Sequence, residues 1–284
     1  MDGKRSGPRR TIVGMSATAI WHEIGDRVWV RRYGFVDQTI GVVGGTDGLL
    51  VIDTRSSHRD AAELRAELRL LGPVVGWAVN THRHWDHSFG NAMFPEVELW
   101  GHERCVTGML EFGEAERAEV LEDYPDRADE WREVVITPPR LTFSDSATID
   151  IGGRTVDLRF LGRGHTDADI VVVVPDAAVL FAGDLLENGS PPWFSDGYPL
   201  DWPATAEGIL ALTTGPVAAG HGEVGDRVFV ERQLEEFREI ANLGRAVAAG
   251  DLSIETAVAR APYKAGASRA AITRAAAQAR GELD

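Results

Sequence analysis

The chain has 284 residues, and 44% of them are hydrophobic, which suffices for a large buried core and is ordinary for a globular protein. Its 44 acidic residues outnumber its 29 basic ones and give a net charge of −15, which argues against a nucleic-acid-binding surface. A single cysteine, Cys105, rules out a disulfide within the chain, and no apolar stretch is long enough to span a membrane. We therefore expect a cytoplasmic protein that binds neither nucleic acid nor membrane and acts on a small molecule.

The beginning of the chain is polar and basic, and we predict a disordered leader over residues 1–18. Arg9 and Arg10 stand before a short apolar run, as a twin-arginine pair does in an export signal. The run is too short for such a signal, and Glu23 and Asp26 interrupt the residues after it.

The next part of the chain predicts strands around one helix. The apolar runs 39–43 and 49–52 flank the glycine-containing residues 44–48, which indicates a hairpin. Ser56 or Ser57 can cap the helix that comes after the second run. The apolar face of this helix consists of Ala61, Leu64, Leu68 and Leu71.

The second half of the chain repeats this plan of strands. Residues 149–151 and 156–160 alternate around two glycines and indicate a second hairpin. Residues 170–174 and 178–182 are typical of buried strands. The succession of strands and helices predicts mixed sheets with helices outside them.

After residue 225 the pattern becomes helical. An apolar stripe consists of Val230, Leu234, Phe237, Ala241 and Val247. We predict a catalytic domain over residues 19–225 and a C-terminal helical extension over residues 226–284. The extension contains no histidine, and we expect it to pack against the domain or to form a homo-oligomer.

Four potential metal ligands, His82, His84, Asp86 and His87, lie within six residues. The apolar run 74–79 leads into them as a buried strand, and a helix can begin after them, so rigid elements hold both ends of the loop. His82 and His84 are two residues apart, and in an extended segment their imidazoles point the same way. Asp86 and His87 come after a turn and can face a second point nearby. Imidazole together with carboxylate suits zinc, iron or manganese.

Three further potential ligands each stand beside a glycine at the end of an apolar run: His165, Asp184 and His221. A single metal ion does not need four ligands this close together and more from elsewhere, whereas two ions do. The set therefore predicts a dinuclear metal site.

The motif HxHxDH over His82–His87, with GHT at His165, GD at Asp184 and GH at His221 after it, resembles the metallo-β-lactamase-fold hydrolase superfamily. The resemblance covers about residues 28–222. It implies an α/β fold, namely a four-layer αββα sandwich of two mixed β-sheets with helices outside.

The resemblance also assigns the ligands to two divalent ions. The first ion would be held by His82, His84 and His165. The second would be held by Asp86, His87 and His221. Asp184 would bridge the two ions, and Asp53 would support a ligand from behind. Zinc is the metal that the resemblance favours, with iron or manganese as the other candidates.

The function implied by the resemblance is hydrolysis of an ester, thioester, lactone or amide bond by a hydroxide shared between the ions. Asp86 would orient the hydroxide, and the bridging Asp184 resembles that of glyoxalase II-type thioester hydrolases and lactonases. The penicillin-cleaving branches usually carry cysteine or another residue at this position, so a β-lactamase-type amide hydrolase is an alternative. A mononuclear-iron sulfur dioxygenase on the same fold and a metal-binding protein without catalysis are two more.

Residues 188–202 are rich in aromatic residues and proline, and they leave the strand that carries Asp184, so we expect them near the metals. Five aromatic side chains are candidates for walls around the substrate. They are Trp193, Phe194 and Tyr198 in this loop, and Tyr33 and Phe35 on the opposite side. The alternative is a loop held in place by aromatic packing alone.

Overall fold

The computed structural model describes residues 20–283, so the predicted leader lies outside the described residues. Within residues 20–283 the chain forms two mixed β-sheets and eight α-helices. In this range no helix is long and apolar enough to cross a membrane.

The first sheet has seven strands whose order in space is their order in sequence. They are β1 (His22–Gly25), β2 (Val28–Arg32), β3 (Thr39–Gly44), β4 (Leu49–Ile52), β5 (Val75–Val79), β6 (Glu98–His102) and β7 (Leu141–Phe143). Strands β1 to β4 pair antiparallel, and β4 to β7 pair parallel. The hairpin predicted at residues 44–48 is confirmed as the turn between β3 and β4.

The second sheet has five strands in the order β12-β11-β10-β9-β8. They are β8 (Ser146–Asp150), β9 (Thr155–Phe160), β10 (Ile170–Val174), β11 (Val179–Asn188) and β12 (Val217–Gly222). All neighbours pair antiparallel except β11 and β12, which run parallel. The second predicted hairpin is confirmed between β8 and β9.

The eight α-helices of the described range are α1 (His58–Leu68), α2 (Trp85–Ser88), α3 (Glu103–Asp123), α4 (Ala128–Glu133), α5 (Trp202–Leu212), α6 (Arg227–Ala249), α7 (Ile254–Arg260) and α8 (Ala265–Ala279). A side chain caps the beginning of four of them. Ser57 caps α1 by accepting a hydrogen bond from the Asp60 amide, and Asp226 caps α6 by accepting one from the Phe229 amide. Gly250 ends α6 with a φ of 79°, a conformation that favours glycine.

Side chains alternate between two apolar layers along each central strand, because successive residues of a strand point to opposite faces. In β4, Leu50 and Ile52 face the second sheet and share a core with its strands. Leu49 and Val51 face the other way and pack with Leu64 of α1. The first sheet is therefore covered by helices on one face and by the second sheet on the other.

Helices cover the outer face of the second sheet in the same way. Trp202 of α5 stacks on Phe237 of α6 with ring centroids 4.7 Å apart, and both pack in one core with strand residues of β10, β11 and β12. Residues of α8 complete this core. The four-layer αββα sandwich is confirmed. Helix α6 shares its core with the sheet, and the domain division at residue 226 stays a prediction.

Strand β11 is longer than the sequence pattern indicates. The pattern predicts that Asp184 ends a strand, but β11 continues through Asn188. The pairing with β12 shifts register on both sides of Gly183, which has a φ of 53°. This bend in the middle of the strand turns the Asp184 side chain toward the other predicted metal ligands, as the end of a strand would have done.

Replacing Trp202 with alanine is expected to lower the free energy of unfolding by about 3–5 kcal/mol, since it empties a fully buried site. The change also removes the indole N–H that donates to the Leu185 carbonyl at 3.1 Å. Trp193→Ala is the matched control, because this ring is 63% exposed, and should change stability by less than about 0.5 kcal/mol. Urea unfolding followed by circular dichroism measures both, and equal losses would contradict this account of the core.

Candidate metal centre

The seven predicted ligands meet at one edge of the sandwich, where both sheets contribute. The loop after β5 and the short helix α2 bring the first four, the loop between β9 and β10 brings His165, and strands β11 and β12 bring Asp184 and His221. Three overlapping groups of side chains each have ligand atoms within 4.8 Å of one another. The groups are His82 with His84 and His165, His82 with His87 and Asp184, and Asp86 with His87 and His221.

Asp184 lies between the two histidine groups that the sequence analysis distinguishes. Its Oδ2 is 3.5 Å from His165 Nε2 on one side and 3.2 Å from His221 Nε2 on the other. Its Oδ1 is 3.2 Å from His87 Nε2. Gly220 makes room for this carboxylate, because a Cβ at Gly220 would lie 1.8 Å from Asp184 Oδ1. A single carboxylate can therefore reach both groups.

Hydrogen bonding fixes which ring nitrogen of His82 carries the proton. The Thr81 hydroxyl donates its only hydrogen to Asp53 Oδ2 at 2.8 Å. Its oxygen lies 3.0 Å from His82 Nδ1 and can only accept there, so Nδ1 must carry the proton. His82 Nε2 then presents a lone pair toward the cluster, where it is buried with no hydrogen-bond partner.

Hydrogen bonds to acceptors orient the remaining four imidazoles in the same way. His87 Nδ1 lies 2.8 Å from Asp53 Oδ2, and His84 Nε2 lies 2.8 Å from Asp196 Oδ2. His165 Nδ1 and His221 Nδ1 each contact a backbone carbonyl, of Trp193 at 3.1 Å and of Val36 at 2.7 Å. A carbonyl or carboxylate only accepts, so each of these nitrogens donates and the other nitrogen of each neutral ring faces the cluster.

The donor set fits divalent metal ions. Five imidazole lone pairs and two carboxylates converge on a buried region, and each imidazole has the outer acceptor that metal-binding histidines use. Asp184 Oδ1, like His82 Nε2, is buried without a hydrogen-bond partner, as an atom awaiting a ligand would be. Soft thiolate ligands are absent from the cluster, since Cys105 is a buried residue of another apolar group.

Without metal, the cluster draws protons onto three of its histidines. Burial lowers the pKa of His84, but the carboxylates of Asp196 and Glu116 outweigh it and raise that pKa to about 9. Burial lowers the pKa of His87, but the carboxylates of Asp184, Asp86 and Asp53 outweigh it and raise that pKa well above its ordinary value. Burial also lowers the pKa of His221, and there Asp184 and Asp86 outweigh burial and raise the pKa well above its ordinary value. Metal ions bind neutral imidazole, so they must displace these protons.

Asp53, predicted to support a metal ligand from behind, contacts His87. It is buried at the end of β4 with a φ of 65° and accepts hydrogen bonds from His87 Nδ1 and from both the amide and the hydroxyl of Thr81. Asp196 plays the same part for His84, and the sequence analysis missed it. Asp196 also accepts a hydrogen bond from Arg83, and its place in the aromatic loop after β11 was the only signal available.

A cleft of about 780 Å³ opens over the cluster, with Asp184, His165 and His221 in its lining. Trp193 lies in the wall of this cleft, as predicted for a substrate contact, and is largely exposed. Its role in substrate binding stays a prediction.

The structure places the other four predicted wall residues elsewhere, because aromatic packing and cation contacts engage them. Phe194 is buried against Trp202, and Tyr33 is buried and donates to Glu67 at 2.6 Å. Phe35 stacks on Trp131 behind the cleft, and Tyr198 lies outside the cleft under Arg163. None of the four lines the cleft, and the assignment of Phe194, Tyr33, Phe35 and Tyr198 to the substrate wall is corrected.

The family model of the metallo-β-lactamase superfamily matches residues 33–251. The chain belongs to this superfamily. A protein from Bacillus cereus named metallo-β-lactamase type 2 is 24% identical over 240 residues, which are 80% of this chain and 86% of that protein. A protein of the same name from Bacillus sp. (strain 170) is 25% identical over 193 residues, covering 66% of this chain and 67% of the other.

Solved structures show the same fold. A metallo-β-lactamase from Pontibacter korlensis superposes with a TM-score of 0.61 and 22% identity, covering 77% of this chain and 98% of that one. The superfamily membership supports a metal-dependent hydrolase, and the superposition confirms the αββα sandwich. Neither comparison identifies the substrate.

Asp53→Asn is expected to weaken metal binding by about 10- to 100-fold, the range found when a partner behind a ligand is lost. Asparagine has one acceptor oxygen for the three donors that now contact Asp53, and its amide opposes one of them. Metal affinity is measured by competition with a chromophoric chelator. Asp145→Asn, at an exposed position, is the control, and an unchanged affinity in Asp53→Asn would contradict the role of the acceptors.

Metal binding is expected to release protons, and the affinity should fall as the pH is lowered from about 8 to 6. The raised pKa values of His87 and His221 mean that these rings hold protons in the metal-free protein at neutral pH, and acid favours that form. Calorimetric titration in buffers of different ionisation enthalpy counts the protons released. An affinity independent of pH would show that neither ring is a ligand.

Proposed function

We propose that the protein is a dinuclear metallo-hydrolase that cleaves an ester, thioester, lactone or amide bond of a small molecule. The observation that carries this proposal is the position of Asp184 between two groups of imidazole lone pairs. His82, His84 and His165 would hold one divalent ion. Asp86, His87 and His221 would hold the other, and Asp184 would contact both.

Two ions held in this way would supply a nucleophile from water at neutral pH and would polarise the carbonyl of the substrate. The protein's own groups position the reactants. Asp86 Oδ2 lies 3.2 Å from His221 Nε2 and faces the cleft, so it can accept a hydrogen bond from an attacking water and orient it. With both ions bound, the imidazoles could not serve as free bases, since one nitrogen of each ring would ligate an ion and the other donates to its acceptor.

The carboxylate of Asp184 favours an ester, thioester or lactone substrate over an amide. A carboxylate at the shared position provides hard oxygen atoms for both ions and compensates part of their charge. The resemblance to thioester hydrolases and lactonases rests on this residue. The only cysteine, Cys105, is buried in a separate apolar group and does not provide a thiolate here.

A β-lactam amide is the second candidate substrate, and the comparisons favour it. The relatives that match over most of this chain bear the name metallo-β-lactamase type 2. The same set of ligands would serve amide cleavage. Rates on a panel of lactones, thioesters, esters and β-lactams would separate the two candidates.

Zinc is the ion we propose, since five imidazoles and two carboxylates suit it, and iron or manganese would fit the same donors. The remaining proposals rest on the sequence: a cytoplasmic location, a small-molecule substrate and self-association through the C-terminal helices. Elemental analysis distinguishes the hydrolase from an iron dioxygenase, because the hydrolase requires two zinc or manganese ions per chain and the dioxygenase one iron.

Asp184→Asn is expected to weaken the binding of one ion and to lower kcat by at least about a hundredfold, because an electrostatic group shared by both ions is lost. The ion at His82, His84 and His165 should remain, since those three rings are untouched. Elemental analysis and rates on the best substrate of the panel give the two readings. Asp251→Asn, on the surface, is the control. Two tightly bound ions and normal turnover in Asp184→Asn would refute the shared position.

A further inference from the structure

One side of the cleft combines aromatic rings with acidic side chains of helix α3. Trp85 and Tyr124 line the cleft with ring centroids 5.8 Å apart, and both are half-buried. Glu119 and Asp123 of α3 line the same cleft and are exposed. We call these four residues the aromatic-acidic corner.

The two carboxylates of this corner have no cation to neutralise them. Within residues 20–283, neither Glu119 nor Asp123 lies within ion-pair distance of a basic side chain, although other acids of α3, such as Glu114, do. Their spacing of four residues on one helical face places like charges together, an arrangement that costs helix stability unless something compensates it. A positive group in the cleft would provide that compensation.

The described lining of the cleft offers no free cation to an anionic substrate. Arg83 is the one lysine or arginine in that lining, and its guanidinium is bonded to Asp196 and lies 4.0 Å from Glu116. It also lies over the Phe112 ring, 5.3 Å from the centroid. Away from the metal centre, a carboxylate on the substrate would therefore meet acidic and aromatic side chains without a partner.

The rings of the corner pack against two further aromatic rings that already contact a cation. The Arg127 guanidinium lies 3.9 Å from the centroid of Phe35 and 4.9 Å from that of Trp131, and both rings pack against Trp85. Aromatic faces attract cations through the ring quadrupole, and quaternary ammonium groups are bound in this way. The lining of the same cleft includes Asp184, whose buried Oδ1 accepts no hydrogen bond although it lies 3.2 Å from His87 Nε2, and this marks the cleft as a ligand site.

We propose, on the basis of the proposed function, that the substrate carries an ammonium group and that the aromatic-acidic corner binds it beside the metal centre. Trp85 and Tyr124 contact the alkyl ammonium, and Glu119 and Asp123 compensate its charge. The substrate class is thus a cationic ester, thioester, lactone or amide. A substrate whose carboxylate would reach the corner is disfavoured.

Three thiols test this proposal without any need for turnover. They differ in the charge of the group at the end of the molecule away from sulfur. They are thiocholine, its neutral tert-butyl analogue and 2-mercaptoethanesulfonate. The thiolate of each can ligate zinc, and the sulfonate is a poor zinc ligand, so all three are presented to the cleft in the same way. Calorimetric titration of the zinc-loaded protein at low ionic strength gives the three dissociation constants.

Thiocholine is expected to bind about tenfold more tightly than the neutral analogue, and 2-mercaptoethanesulfonate should bind most weakly. Glu119→Gln and Asp123→Asn should each reduce the preference for thiocholine about two- to fivefold, and added salt should reduce it further. Tyr124→Leu should reduce it as well, whereas Tyr124→Phe keeps the ring and should preserve it. Glu122→Gln removes a charge from α3 outside the cleft lining and is the control, expected to leave the preference unchanged.

Binding of 2-mercaptoethanesulfonate as tight as that of thiocholine, or tighter, would overturn the inference and leave the metal centre intact. A thiocholine preference that persists in Glu119→Gln, Asp123→Asn and Tyr124→Leu would also overturn it, because the corner would not be its source. If the protein took up no zinc and none of the three thiols bound, the proposed function itself would fail, and this inference would fail with it.

Discussion

The cluster depends on hydrogen bonds made by the outer nitrogens of its five imidazoles. An imidazole has two ring nitrogens, and the one that carries the proton decides which one can bind a metal. Here each outer nitrogen faces an acceptor: a carboxylate for His84 and His87, a hydroxyl already committed as a donor for His82, and carbonyls for His165 and His221. Each inner nitrogen is thereby directed at the cluster before any ion arrives, which reduces the reorganisation that metal binding requires.

The acceptors come from distant parts of the chain, so the whole sandwich is needed to assemble them. Asp53 comes directly after β4 of the first sheet, and the Val36 carbonyl lies between β2 and β3. The Trp193 carbonyl and Asp196 belong to the loop after β11 of the second sheet. Two glycines bring Asp184 into the middle, Gly183 by its positive φ and Gly220 by its missing Cβ. A change that shifts one sheet against the other would therefore misdirect several lone pairs at once.

Much of this arrangement could be predicted from sequence, because it is encoded in local pattern. Apolar alternation and glycine turns identified the two hairpins, and Ser57 marked the beginning of α1. The HxHxDH motif and the histidines beside glycine identified all seven members of the cluster.

The sequence could not show which long-range contacts the other residues make. Phe194 and Tyr198 look alike among the aromatic residues of their loop, yet packing on Trp202 buries the first and Arg163 covers the second. The carbonyl acceptors of His165 and His221 carry no signal in their side chains. The bend at Gly183 in a strand that continues to Asn188 depends on pairing with β12, which lies about thirty residues further along the chain.

The aromatic-acidic corner would add substrate specificity to this centre through charges that do not contact the metal ligands. The acids of α3 and the rings beside them would make a positive group the best-suited neighbour of the metal centre. The chemistry of the centre and the selection of the substrate would then depend on different residues of this chain.

The central claim is that these imidazoles and carboxylates hold two metal ions close together. X-ray absorption spectroscopy of protein reconstituted with two equivalents of zinc tests it most directly. The account predicts nitrogen and oxygen ligands only, with a second zinc about 3.5–4 Å from the first, the separation found in two-metal sites. Binding of a single equivalent, or a spectrum with no metal–metal contribution, would contradict it.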